Sequence, residues 1–127
     1  MVQVTWLSWI GIGSVFGCLG VALGAFGAHG LKNVLDAREL DIFETGVRYQ
    51  MYHAFAIIVV GVVLSRVDSS LIRYAGWSFV SGIVIFSGSL YTLTLSGQRW
   101  LGAITPLGGL ALIVGWLLLA YAVFRMN

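Results

Sequence analysis

The chain has 127 residues, 59% of them hydrophobic and 9% charged, whereas a soluble domain carries roughly 25% charged residues; water cannot be its main solvent. Its net charge of +2 comes from seven Lys or Arg and five Asp or Glu. These are scattered singly, so no basic stripe is present to track a phosphate backbone, which argues against nucleic acid as a partner. The lone cysteine, Cys18, excludes an intrachain disulfide and any multi-cysteine metal site.

The first apolar stretch, about residues 4–28, contains no charge and is long enough to cross a hydrocarbon core of about 30 Å at about 1.5 Å per residue. Trp6 and Trp9 are expected to mark its aqueous end. The small residues Ala25, Gly27 and Ala28 resemble a signal cleavage site, but no Lys or Arg precedes the run and it exceeds an ordinary signal-peptide core. A retained membrane helix is therefore expected. Cys18, beside Gly17 in this run, reads as a small packing residue and not as a reactive thiol.

From Gly30 to Asp41 the chain turns polar, with Lys32, Asp36, Arg38, Glu39 and Asp41 set against Leu31, Leu35 and Leu40. This reads as a short surface-lying amphipathic segment or a solvated connector. A second span follows over about 45–64, then a turn at Arg66 to Ser70. A third span covers about 71–95, the connection SGQRW places Arg99 and Trp100 at the interface, and a fourth span covers about 105–124. Thr105 followed by Pro106 predicts a helix start with Thr105 as the N-cap. The expected architecture is an all-α, four-transmembrane-helix bundle, one integral membrane domain over residues 1–127, with both termini on one side. Positive charges number three on that side (Arg66, Arg73, Arg125) and four on the other (Lys32, Arg38, Arg48, Arg99), so charge does not set the orientation.

Helix one carries Gly13, Gly17, Gly20, Gly24 and Gly27 at spacings of four, three, four and three, which places them on one helical stripe. Glycine costs about 1 kcal/mol against alanine in a helix, and in lipid the compensation is close backbone approach. Looser small-residue seams recur in helix three (Ala75, Ser78, Gly82, Ser89) and helix four (Gly108, Ala111, Gly115, Ala122). They predict thin helix interfaces within the bundle or with a further copy.

Ionisable groups inside an apolar span carry a functional hypothesis, since each costs about 2.5–3.5 kcal/mol at mid-bilayer on insertion scales. The candidates are His29, Glu44, Arg48, Tyr49, Gln50, Tyr52 and His53. Glu44 and Arg48 have helical ion-pair spacing, and all seven are near the same membrane surface. Three readings are open: an interfacial belt with a snorkelling arginine, a proton- or ligand-binding cluster, or metal binding through His29 and His53. Arg48 is expected to pair with Glu44 and also to reach His29 or the end of helix one. No nucleophile with a neighbouring base and no phosphate loop stands out, so no cofactor and no catalysis are expected.

At GAFGAHGLK (24–32) and FETGVRYQMYHA (43–54) the chain resembles the family catalogued as domain of unknown function 423, the bacterial YgdD-like group related to eukaryotic transmembrane protein 256. SGSLYTLTLSG (87–97) and LGAITPLGGLALIVGW (101–116) fit the same family. The resemblance implies a four-helix protein of the bacterial inner membrane and supplies no activity. The function expected is that of a non-enzymatic interaction or scaffold protein among membrane lipids, self-associating or attached to a larger membrane complex. The rival is a small transporter or channel subunit that uses the His29, Glu44, Arg48 and His53 cluster.

Overall fold

A chain in lipid must satisfy its backbone hydrogen bonds internally, and four helices do so here. The computed structural model, which describes residues 4–127, contains α1 (Trp6–His29), α2 (Ala37–Leu64), α3 (Ser70–Ser96) and α4 (Thr105–Phe124), with a 3-10 turn at Arg99–Ala103 before α4. All four are long and apolar enough to cross a membrane. They alternate in direction: Gly13 lies against Ala54 while Gly27 lies against Phe43, and Gly115 lies against Phe79 while Gly108 lies against Phe86. The start of α1 and the end of α4 are therefore at the same end of the bundle; Met1 lies outside the described residues.

The second helix begins eight residues before the expected start near 45. Asp36 accepts from the Glu39 amide at 2.8 Å, and the Glu39 carboxylate accepts from the Asp36 amide at 3.0 Å. This reciprocal capping box starts a helix firmly, and Phe43, 1% exposed, holds its first turns against the bundle. Residues 37–41 of the polar segment thus belong to α2, while residues 30–35 are turn and bend. At 28 residues α2 is about 42 Å long, more than a core of about 30 Å requires, and its charged first two turns project at the surface.

Two further expectations are corrected. Thr105 does not cap α4; Ile104 occupies that position, and the Thr105 hydroxyl instead meets the Ser89 hydroxyl at 2.6 Å. Trp9 faces into the bundle and not towards the headgroups. It is fully buried, its ring edge-on to Trp77 and pressed against Gly76, at the centre of a core that includes Ile57, Val60, Ile72 and Phe79.

Consecutive helices pack along their lengths, α1 on α2, α2 on α3 and α3 on α4. On α1 the contact repeats every seven residues: a Cβ on Gly13 would meet the Ala54 carbonyl oxygen at 2.8 Å, one on Gly20 the Met51 side chain, and one on Gly27 the Phe43 ring at 2.9 Å. Gly24 only borders the seam, at 3.3 Å from Val47, and Gly17 is outside it, with nothing within 4 Å. The five-glycine stripe is thus corrected to a three-glycine seam with a shoulder. The reason is that Gly13, Gly20 and Gly27, seven residues apart, stay within about 20° of one another from one to the next, whereas Gly17 and Gly24, each four residues further on, are turned about 40–50° off that line. Gly82, Gly108 and Gly115 sit between α3 and α4, against Leu112, the Phe86 backbone and the Phe79 ring. Three glycines outside the expected seams also take a neighbouring helix: Gly46 faces Tyr91, Gly61 faces the Trp6 carbonyl, and Gly76 faces Trp9.

Candidate functional site

Six of the seven candidate residues are on α2, and four of them divide between two of its faces. Glu44 and Arg48 are one turn apart on the outward side, while Gln50 and His53 are on the inward side at 3% and 5% exposure. Tyr49 and Tyr52 lie at the edge between them, exposed, with their rings edge-on to each other. His29 is exposed at the end of α1. The seven do not converge on one point.

Arg48 Nη2 donates to Glu44 Oε1 at 3.0 Å, with both side chains more than half exposed. Arg48 makes no hydrogen bond or salt bridge to His29 among the described residues; towards the end of α1 it lines one cavity together with Gly24, Gly27 and Ala28. An exposed i,i+4 pair contributes about 0.3–0.5 kcal/mol. The double-mutant cycle of Glu44→Gln and Arg48→Gln is accordingly expected to give a coupling of no more than about 0.5 kcal/mol in detergent unfolding. A coupling of about 2 kcal/mol or more would require a buried pair.

The inward polar residues are fully engaged. The Gln50 amide nitrogen donates to the Phe16 carbonyl on α1 at 2.9 Å, and its oxygen accepts from the Tyr91 hydroxyl on α3 at 2.7 Å. One side chain thereby ties three helices together. His53 Nδ1 is 2.6 Å from the Tyr49 carbonyl, and Trp116 Nε1 on α4 donates to His53 Nε2 at 3.0 Å. A carbonyl only accepts and an indole N–H only donates, so the assignment that satisfies both is the neutral ring with its proton on Nδ1. Phe79 and Trp116 pack around that ring. Ser87 donates to the Gly46 carbonyl at 2.6 Å, beside the Gln50 to Tyr91 contact.

Ser87, Tyr91 and Trp116, the partners of these groups, escaped the reading of the sequence because each sits in an apolar run. The available signal was spacing: Ser87 and Tyr91 are one turn apart, as are Gly46 and Gln50 opposite them. Two cavities adjoin these residues. One of about 440 Å³ lies between the end of α1 and the start of α2 and includes Lys32, Glu44 and Arg48 in its lining. Another of about 530 Å³ lies between α2 and α4, against Tyr49, Tyr52, His53 and Trp116. Among the described residues no group of three or more His, Cys, Asp or Glu could hold a metal ion.

Four apolar spans joined by short polar turns, with Gln50, His53, Ser87 and Ser89 hydrogen-bonded between helices, define a multi-pass integral membrane protein. The chain belongs to the family described as Protein of unknown function (DUF423), matched over residues 23–109. It is 44% identical to a UPF0382 membrane protein of Staphylococcus saprophyticus over 91% of this chain and 95% of that one. It is 43% identical to UPF0382 membrane protein YwdK of Bacillus subtilis, over 90% of this chain and 94% of the relative. A UPF0382 membrane protein of Haemophilus influenzae is 43% identical over 83% and 84%. No solved structure matches significantly.

Proposed function

We propose that this is a non-enzymatic interaction protein of the bacterial cytoplasmic membrane, which self-associates through the outward face of α1 and so serves as a building block of a larger membrane assembly. The observation that carries this reading is the row Gly11, Ser14, Cys18, Ala22 and Ala25, all exposed. The row is on the side of α1 opposite the seam with α2. Lipid makes no demand for small residues: the outward side of α4 carries Leu107, Leu110, Ile113 and Leu117. A face of small residues gives up dispersion contact with acyl chains and gains it back when a second helix approaches closely. The transporter reading draws less support, because the polar atoms of Gln50 and His53, the two inward members of the cluster, are already hydrogen-bonded: Gln50 to α1 and α3, and His53 to α4 and to the Tyr49 carbonyl of its own helix.

The lone cysteine provides the test, since two copies inserted in the same direction and related by an axis along the membrane normal place Cys18 at equal depth. Oxidation of native membranes is expected to yield a covalent dimer of the 13.7 kDa chain, in a yield independent of expression level. Cys18→Ser should abolish it and Ala22→Leu should reduce it strongly, since a disulfide needs the two Cα atoms within about 7 Å. Absence of the dimer, with Cys18 still open to a membrane-permeant thiol reagent, would overturn the proposal.

A further inference from the structure

The cavity between the end of α1 and the first turns of α2 has a lining that is part apolar and part charged. Gly24, Gly27 and Ala28 on α1 with Leu40, Phe43 and Val47 on α2 form its apolar walls, and Lys32, in the turn between the helices, joins Glu44 and Arg48 of α2 as its charged groups. We infer that it binds the headgroup and glycerol of an anionic phospholipid. A phospholipid joins the two matching characters, an apolar glycerol and acyl part and an anionic phosphate, and the volume of about 440 Å³ falls within the about 300–1,000 Å³ typical of small-ligand sites.

Charge selects the anion. Lys32 and Arg48 face one carboxylate, Glu44, and Lys32 makes no salt bridge among the described residues. The Glu44 partner does not hold Arg48 firmly, because the pair is more than half exposed and contributes about 0.5 kcal/mol at most. A phosphate offers the guanidinium a bidentate contact in exchange. The α2–α4 cavity, lined by Tyr49, Tyr52, His53, Ile113 and Trp116 among others, has no charged group in its lining and suits acyl chains. The apolar wall depends on glycine: a side chain at Gly27 would run into Phe43. This site is independent of the α1 association face, which points away from α2.

The test is thermal unfolding of the delipidated protein in a neutral detergent, with phosphatidylglycerol, phosphatidylcholine or soluble sn-glycerol 3-phosphate added. Phosphatidylglycerol is expected to raise the Tm more than phosphatidylcholine, and glycerol phosphate to leave it unchanged at the same concentrations. Lys32→Gln, at an exposed turn position that leaves the fold intact, should weaken the phosphatidylglycerol response about fivefold, the value of one cation at a lipid surface. Glu44→Gln should strengthen it by a similar factor, an effect that a purely structural ion pair would not produce. Equal stabilisation by phosphatidylcholine would overturn the proposal. So would a phosphatidylglycerol preference that survives Lys32→Gln combined with Arg48→Gln, or a full effect from glycerol phosphate alone, which would mark a site for soluble anions.

Discussion

Gly108→Ala is expected to destabilise the bundle by about 3 kcal/mol, at the upper end of ordinary overpacking, whereas Gly20→Ala should cost less than about 1 kcal/mol. The two glycines both sit in helix seams, and the difference lies in what a methyl group would strike. At Gly108 it meets the Phe86 backbone, with Cα at 2.7 Å, and the Phe86 Cβ at 2.8 Å. Backbone cannot rotate away, so α4 must lift from α3 and loosen the neighbouring contacts of Gly82 with Leu112 and Gly115 with Phe79. At Gly20 the methyl meets the Met51 thioether, a flexible group that can adopt another rotamer. Alanine also recovers about 1 kcal/mol of helix propensity in water, which offsets most of the remaining clash. Gly17, with nothing within 4 Å, is the control, and its alanine variant should be neutral or slightly stabilising. Reversible unfolding in mixed micelles measures all three. Equal losses at Gly108 and Gly20 would mean that α3 and α4 are not in backbone contact at Phe86.

The spans could be read from sequence because hydrocarbon imposes one requirement, an uninterrupted apolar run of sufficient length, and composition displays it directly. The start of α2 was less legible, since Asp36 and Glu39 read equally as surface charges and as a capping box; it is the burial of Phe43 in the folded bundle that favours the helix. Glycine periodicity located the face of α1 that meets α2 but not its width, because Gly17 and Gly24 are turned about 40–50° off the line of Gly13, Gly20 and Gly27. The site was least legible of all. One polar cluster was expected near one membrane surface, yet Glu44 and Arg48 face outward from α2 while Gln50 and His53 face inward, and the inward pair found partners in other helices. The stretches that carry the family resemblance meet in space: Gly46 and Gln50 of one touch Ser87 and Tyr91 of another, and His53 meets Trp116 of a third. At these positions the resemblance reports helix-to-helix contacts, and sequence separation conceals that.

Gln50→Leu is expected to cost about 2 kcal/mol, although leucine is close to glutamine in volume and better suited to an apolar interior. The loss arises from the partner: with Gln50 removed, the Tyr91 hydroxyl loses its acceptor at 2.7 Å, and a half-satisfied polar contact costs about 1–3 kcal/mol. The Phe16 carbonyl loses less, since it retains its bond within α1. Tyr91→Phe alone should also destabilise, because it leaves the Gln50 oxygen unpaired. Both changes together remove both orphans, so the double variant should be more stable than the sum of the singles implies. A coupling of about 1–1.7 kcal/mol is expected, high in the range measured for hydrogen bonds between membrane helices, because Gln50 is 3% exposed and no water can replace the lost contact. Conformity with this result would identify Gln50 as the fastener of α1, α2 and α3. A coupling near zero would mean instead that its carboxamide is free to turn towards another group, and it would then return as a candidate ligand for a transported species.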